Sequence, residues 1–161
     1  MAESAYTRLI QLLEDQGASY RLIEHEPEGA TDAVSALRGH ELGQAAKCLV
    51  VMVKIGKKVK RYALVVVAGD KRVDLQAVKK LYDGTYVGFA DQEIAEELSG
   101  SVTGTILPFS FDERLELIVD HGLLEEPEFF FNAGRLDRSV ALSGKDYRRI
   151  TQARAESVAT A

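Results

Sequence analysis

The stretch "CLVVMVKIGKKVKRYALVVVA", residues 48–68, decides the fold. It holds two apolar runs rich in β-branched residues, Cys48 to Val53 and Tyr62 to Ala68, with Gly56 between them to supply a turn. Neither run alternates apolar with polar side chains, and a strand that is apolar at every position is covered on both faces. The two runs therefore read as the central strands of a sheet, joined as a β-hairpin. Lys54, Lys57, Lys58, Lys60 and Arg61 crowd the ends of the turn. Just before the first run stands Lys47, preceded by the small residues Ala45 and Ala46. An ammonium group there either reaches solvent or sits in a cleft where it meets an anion.

Outward from the hairpin the pattern alternates between helix and strand. "SAYTRLIQLLEDQG" places Ala5, Leu9, Leu12 and Leu13 on one helical face, with Ser4 as N-cap and Gly17 as stop. "YRLIEH" is a short strand, and "EPEGATDAVSALRGHELGQAA" is a long irregular connection with a short helical segment after Thr31. Connections of that length in compact domains are often functional. Beyond the hairpin, Asp74 caps the helix "LQAVKKLY", "YVGFA" is a strand, and Asp91 caps the helix "QEIAEEL". Further strands are expected at Thr105 to Leu107, "LELIVD", "EFFFN" and "SVAL", followed by a helical turn in "KDYRRI". One domain is expected over residues 1–150, and the tail 151–161, "TQARAESVATA", offers little to bury and reads as flexible.

Composition excludes several classes of function. A net charge of −5 and a pI near 5.3 argue against binding nucleic acid through the whole surface, although a local basic patch still allows it. No apolar run approaches the ~20 residues of a membrane span, and the N-terminus lacks the basic start and apolar centre of a signal peptide. A cytoplasmic protein with no membrane partner is expected. Cys48 is the single cysteine, so no internal disulfide forms. His25, His40 and His121 share no metal-binding spacing, no Gly-x-Ser-x-Gly elbow occurs, and Cys48 within its strand reads as a core residue rather than a nucleophile. No metal and no cofactor are expected.

Taken in order, "AAKCLVVMV", "VVAGDKRVDLQAVKK", "ADQEIAEELSGSVTGTILPFSF" and "FFFNAGRLDRSVALSGKDYRRI" resemble the YbaK/prolyl-tRNA-synthetase-associated domain family of aminoacyl-tRNA editing proteins. The resemblance covers roughly residues 20–150. Its most specific parts are the lysine before the central strand and the series Gly100, Gly104, Pro108, Phe109. Many members have glycine after the Pro-Phe pair, whereas Ser110 and Phe111 follow here, and "PFSF" with "FNAGRLDRSV" looks like a branch of freestanding proteins. That branch is distinct from both the YbaK cysteine editors and the inserted synthetase domains. The resemblance implies an α/β (α+β) fold with a mixed, partly barrel-like β-sheet flanked by helices. It also implies hydrolysis, in trans, of the ester between a wrong amino acid and the tRNA 3′ end. A synthetase pocket rejects a near-isosteric amino acid by only ~10², so a second, differently shaped site must remove the errors.

The resemblance assigns catalytic roles to Lys47, Gly100 and Gly104. The two glycines let backbone N–H groups approach a ligand and stabilise an oxyanion, or, on the plainer reading, form a turn and a tight crossing. Substrate contacts are expected from Ser101, Thr103, Pro108, Phe109 and Ser110, and by resemblance from Asn132 and Asp137, whose segment would also suit a simple turn. Small walls favour a short aminoacyl group: Ser, Thr or Ala. The basic hairpin is a candidate grip on tRNA phosphates or a solvated turn. Mischarged tRNA is the expected partner, with a synthetase or elongation factor as further candidates. The competing reading is a catalytically silent tRNA or small-molecule binding module on the same fold.

Overall fold

The computed structural model describes residues 4–161. In chain order the elements are α1 (Ala5–Asp15), β1 (Tyr20–Glu24), α2 (Thr31–Arg38), β2 (Ala46–Ile55), β3 (Val59–Ala68), β4 (Arg72–Val73), α3 (Leu75–Leu81) and β5 (Tyr86–Phe89). They continue with α4 (Gln92–Ser99), β6 (Leu115–Asp120), α5 (His121–Leu124), β7 (Glu128–Asn132), β8 (Arg138–Ser143), α6 (Gly144–Thr151), β9 (Arg154–Glu156) and β10 (Ala159–Thr160). The hairpin is the centre of the structure: β2 and β3 pair antiparallel from Ala46 opposite Ala68 to Ile55 opposite Val59. They sit inside a five-stranded mixed sheet of order β5-β2-β3-β6-β9, in which β6 runs parallel to both β3 and β9. A three-stranded antiparallel sheet, β1-β8-β7, and a two-stranded one, β10-β4, complete the architecture. The mixed sheet flanked by helices is the expected one, and among the described residues the strands fall into three separate sheets rather than one closed barrel.

The two-residue period of the strands explains why both runs are apolar throughout. Val50, Leu64 and Val66 face one core with Leu9 and Leu13 of α1, Leu98 of α4, Phe129 and Phe131 of β7, and Tyr147 of α6. Val51, Val53, Ala63, Val65 and Val67 face the other, with Val78 of α3, Ile118 and Val158. Local signals act as expected at two helix starts, where Ser4 accepts from the Thr7 amide and Asp74 from the Ala77 amide. At α4 the expectation fails, because Asp91 occupies the N-cap position and its side chain makes no capping bond.

Two further corrections concern strands. Thr105 to Leu107 are not a strand. The Thr105 amide and hydroxyl both bond to the Val102 carbonyl, and the Gly104 carbonyl is taken by Asn132, so this backbone is spent on a turn and a cross-link. The tail expected to be flexible is ordered. Its β9 adds to the main sheet beside β6, and β10 pairs with β4. Between them Val158 is fully buried, its amide donating to Asp120 and its carbonyl accepting from the Asp74 amide. A single buried valine and a few ladder bonds leave little trace in composition.

Candidate functional site

A cavity of about 450 Å3 opens at a gap along one edge of β2. On that edge β5 covers β2 only from Val51 to Lys54, and the last bond runs from the Ala90 amide to the Val50 carbonyl, 2.9 Å. At the other end Ala45 bridges Phe130 of β7. Between these points β2 has no strand beside it on that edge among the described residues. Backbone groups of alternate residues point to the same edge, so the alternation that turns Val50 toward Ala90 also turns the Cys48 N–H and C=O into the gap. Around it stand Gly29 to Thr31, Val34 and Arg38 of α2, Gln92 and Ala95 of α4, Thr103, Gly104 and Ile106, and Phe131 and Asn132 of β7.

Asn132 ties three of these walls together. Its Nδ2 donates to the Glu28 carbonyl at 2.9 Å and the Gly104 carbonyl at 3.0 Å, while its Oδ1 accepts from the Ser139 hydroxyl at 3.0 Å. Gly104 has φ +91°, and a Cβ there would lie 3.3 Å from the Gly29 Cα. Backbone meets backbone at that point, so a side chain there would be strained both by the positive φ and by the close approach. Thr103 faces the same space, with its amide and hydroxyl held by Glu96 at 2.8 and 2.9 Å, bonds that hold the Glu96 carboxyl below its usual range.

Two cations line the cavity, Lys47 and Arg38, and no carboxylate or imidazole does so among the described residues. The Lys47 ammonium, for which the sequence left open solvent or a cleft, donates to the Lys71 carbonyl, so its arm is anchored at the end of the sheet. Burial, and then the neighbouring Arg72, lower its pKa, against the opposing effect of Asp70. Arg38, at the end of α2, was not singled out by the sequence. Burial pulls its pKa down to about 10, and its Nε is buried without an acceptor. Cys48 also lines the cavity, but burial pushes its thiol up, which makes it a poor thiolate.

Of the residues singled out in the sequence, Lys47, Thr103, Gly104 and Asn132 line this cavity. Gly100 does not: it ends α4 with φ +71°, and a Cβ there would meet nothing within 4 Å, so its role in the structure is that of a left-handed helix cap. Ser101 is buried beside it, with a hydroxyl lacking a partner. Pro108, Phe109 and Ser110 stand outside the cavity because they serve the core. The Pro108 carbonyl accepts from Tyr147, the Phe109 ring packs edge-on against Tyr147 and Phe131, and Ser110 donates to the Leu115 carbonyl. Asp137 is also outside, paired with Arg135 at 2.8 and 2.9 Å, and that guanidinium holds its carboxyl below the usual range. The hairpin cations lie at the far end of β2: Lys54 is seven residues from Lys47, roughly 23 Å along an extended strand. The half-exposed Phe89 on the cavity rim carries no motif and was legible only from its place at the end of β5.

Residues 25–150 match the model of the aminoacyl-tRNA editing domain. The chain is 43% identical over 155 residues to the multifunctional Ser/Thr-tRNA deacylase ProXp-y of Escherichia coli strain K12, covering 94% of this chain and 92% of that protein. The protein of the same description from Escherichia coli O157:H7 matches equally. Among solved structures, that of a hypothetical protein superposes with a TM-score of 0.85 at 23% identity, covering 95% of this chain and 99% of that one. One described as a candidate trans-editing enzyme for prolyl tRNA synthetase superposes with a TM-score of 0.80 at 24% identity over the full length of both chains. These two likenesses concern the fold. The family match and the curated relatives establish that the chain belongs to the aminoacyl-tRNA editing domain family.

Proposed function

We propose that this member of the aminoacyl-tRNA editing family is a deacylase that hydrolyses, in trans, the ester of a mischarged tRNA carrying serine or threonine. The observation that carries the reading is the composition of the cavity: two cations and an unpaired strand edge, with no carboxylate, on a chain whose net charge is −5. The two cations favour an anionic group, while the carboxylates of Glu28 and Glu96 are bonded to the amides of the lining residues Gly29, Ala30 and Thr103. The name of the 43% identical relative supports serine and threonine as the groups removed. Alanine, the third candidate from the sequence, would leave unmade the hydrogen bond that a hydroxyl makes to a group such as Thr103, at ~1–3 kcal/mol.

In this reading the aminoacyl group enters between β2 and the 103–106 loop, where Gly29, Ala46, Ala95 and Gly104 leave room for a short side chain. A water oxygen attacks the ester carbonyl carbon, and the negative charge that develops on the carbonyl oxygen is met by the Cys48 N–H and the Lys47 ammonium. Collapse breaks the bond to the ribose oxygen, which takes up a proton, releasing a free amino acid and an intact tRNA. Among the described residues no side chain lining the cavity is a carboxylate or imidazole, and in this reading the proton of the attacking water passes to the substrate itself, through its vicinal ribose hydroxyl. Catalysis then rests on preorganised electrostatics, worth ~10²–10³ in rate for one well-placed contact. The basic hairpin, roughly 23 Å away along β2, contacts acceptor-stem phosphates, and the protein works in the cytoplasm. No helix among the described residues is long and apolar enough to cross a membrane.

The lack of a general base in the cavity is also the observation that favours the rival reading, a silent binding module. A panel of tRNAs carrying radiolabelled Ser, Thr or Ala on non-cognate acceptors decides between them. Selective loss of label from the Ser and Thr species supports the deacylase, and uncatalysed rates with every member leave the binding module.

A further inference from the structure

Arg38 differs from most arginines of this chain. Arg21, Arg114, Arg135, Arg138, Arg149 and Arg154 each meet a carboxylate. Arg38 meets none among the described residues, although it is among the more buried. Among the described residues its side-chain partner is His40: Nη1 lies 3.2 Å from His40 Nε2. The tautomer follows from the other ring nitrogen. Nδ1 is 2.7 Å from the Glu41 carbonyl, which only accepts, so Nδ1 carries the proton and Nε2 is the acceptor for Arg38. The imidazole is fixed in turn by stacking on Phe130, with centroids 3.8 Å apart and planes 12° from parallel.

A guanidinium is thus largely buried, aimed by a neutral imidazole and left with an unsatisfied Nε, on a residue that lines a cavity with no carboxylate in its lining among the described residues. Burying a charge without a counter-charge is costly, and such a group at a cavity is a candidate for holding a ligand of opposite charge. The ligand must bring negative charge and acceptor oxygens in a planar-fork geometry, which a phosphate provides. On an aminoacylated acceptor end the ester is neutral and the α-amino group is cationic, so the anionic groups are the phosphodiesters. We infer that Arg38 holds the phosphodiester joining the last two nucleotides of the tRNA, with His40 as its positioning residue. This rests on the reading that the cavity receives the acceptor end. It would make Arg38 a reader of the polynucleotide rather than of the amino acid, so that adenosine esters alone bind without its help.

The test uses cytidylyl-(3′→5′)-adenosine, which has that phosphodiester, and adenosine, which lacks it, titrated calorimetrically into the full chain. Wild type should bind the dinucleotide at least about tenfold more tightly than adenosine, the scale of a charge-assisted hydrogen bond. Arg38→Gln should erase that preference, and Arg38→Lys, which keeps the charge without the fork, should retain part of it. A wild type without the preference overturns the inference, as does an Arg38→Gln variant that keeps it. Competition by free serine in place of the dinucleotide would overturn it in favour of a site for the amino-acid carboxylate. Deacylation is read separately. Arg38-dependent dinucleotide binding without any deacylation would remove the enzyme reading and leave this one. Deacylation of seryl-tRNA at wild-type KM by Arg38→Gln would do the reverse.

Discussion

Replacing Asn132 by alanine removes the group that holds the Glu28 loop and the Gly104 turn against β7. Three hydrogen bonds go, two donated by Nδ2 to carbonyls and one accepted by Oδ1 from Ser139, at a residue that is 7% exposed. At a net value of about 1 kcal/mol each, the loss is about 3 kcal/mol. The Ser139 hydroxyl, at a fully buried residue, loses its acceptor, whereas the two carbonyls belong to loops that line the cavity. For a chain of this size that corresponds to a fall in Tm of roughly 6–12 °C. Urea denaturation followed by circular dichroism measures it, with the midpoint shifting at unchanged slope. Asn132→Asp sharpens the test, because an ionised carboxylate would face the Glu28 and Gly104 carbonyls and should cost at least as much at neutral pH. Since both carbonyls belong to loops lining the cavity, each variant should also raise KM for the mischarged tRNA. An alanine variant within about 0.5 kcal/mol of wild type, the range of an ordinary surface change, would refute the reasoning.

Three other outcomes follow from the geometry. Gly104→Ala should cost about 2 kcal/mol, from a positive φ and a Cβ pressed on Gly29, and should lower deacylation, whereas Gly100→Ala, with open space around it, should cost about 1 kcal/mol by thermal unfolding and leave the rate unchanged. Val158→Ala should destabilise by about 2 kcal/mol in chemical denaturation although it lies three residues from the chain end, because the side chain is fully buried. Stability should fall as pH drops below about 6.5, because burial, reinforced by Arg38, holds the folded-state pKa of His40 below its ordinary value. In that window the unfolded chain binds more protons, so unfolding free energy rises with pH. His40→Gln, which keeps an acceptor without titrating, should flatten that part of the profile in urea titrations.

What could be read in the sequence follows from what each signal is made of. The central hairpin was legible because burial on both faces forces every residue of Cys48 to Val53 and Tyr62 to Ala68 to be apolar, and caps such as Ser4 and Asp74 act within their own segments. The tail was misread because its order comes from ladder bonds to β6 and β4, and backbone bonds leave no mark on residue type. Pro108 and Phe109 illustrate a different case: a motif was visible, and its members pack beside Tyr147, outside the cavity lining. The Cys48 backbone edge depends on where β5 stops and β7 begins, a property of topology. Arg38 stayed hidden since its distinguishing feature is a missing carboxylate in three dimensions, and a linear sequence with acids on all sides cannot display that.

Single-turnover deacylation of seryl- or threonyl-tRNA by wild type and Lys47→Ala, each at saturating protein, tests the central claim most directly. The cavity account predicts rapid loss of the aminoacyl group with wild type, and a rate lower by ~10²–10³ in the alanine variant at unchanged circular dichroism. Lys47→Arg should also be impaired, because the larger fork cannot take the place of an ammonium at the end of β2. An alanine variant that cleaves at the wild-type rate would contradict the account and reduce Lys47 to a strand-edge charge held by the Lys71 carbonyl.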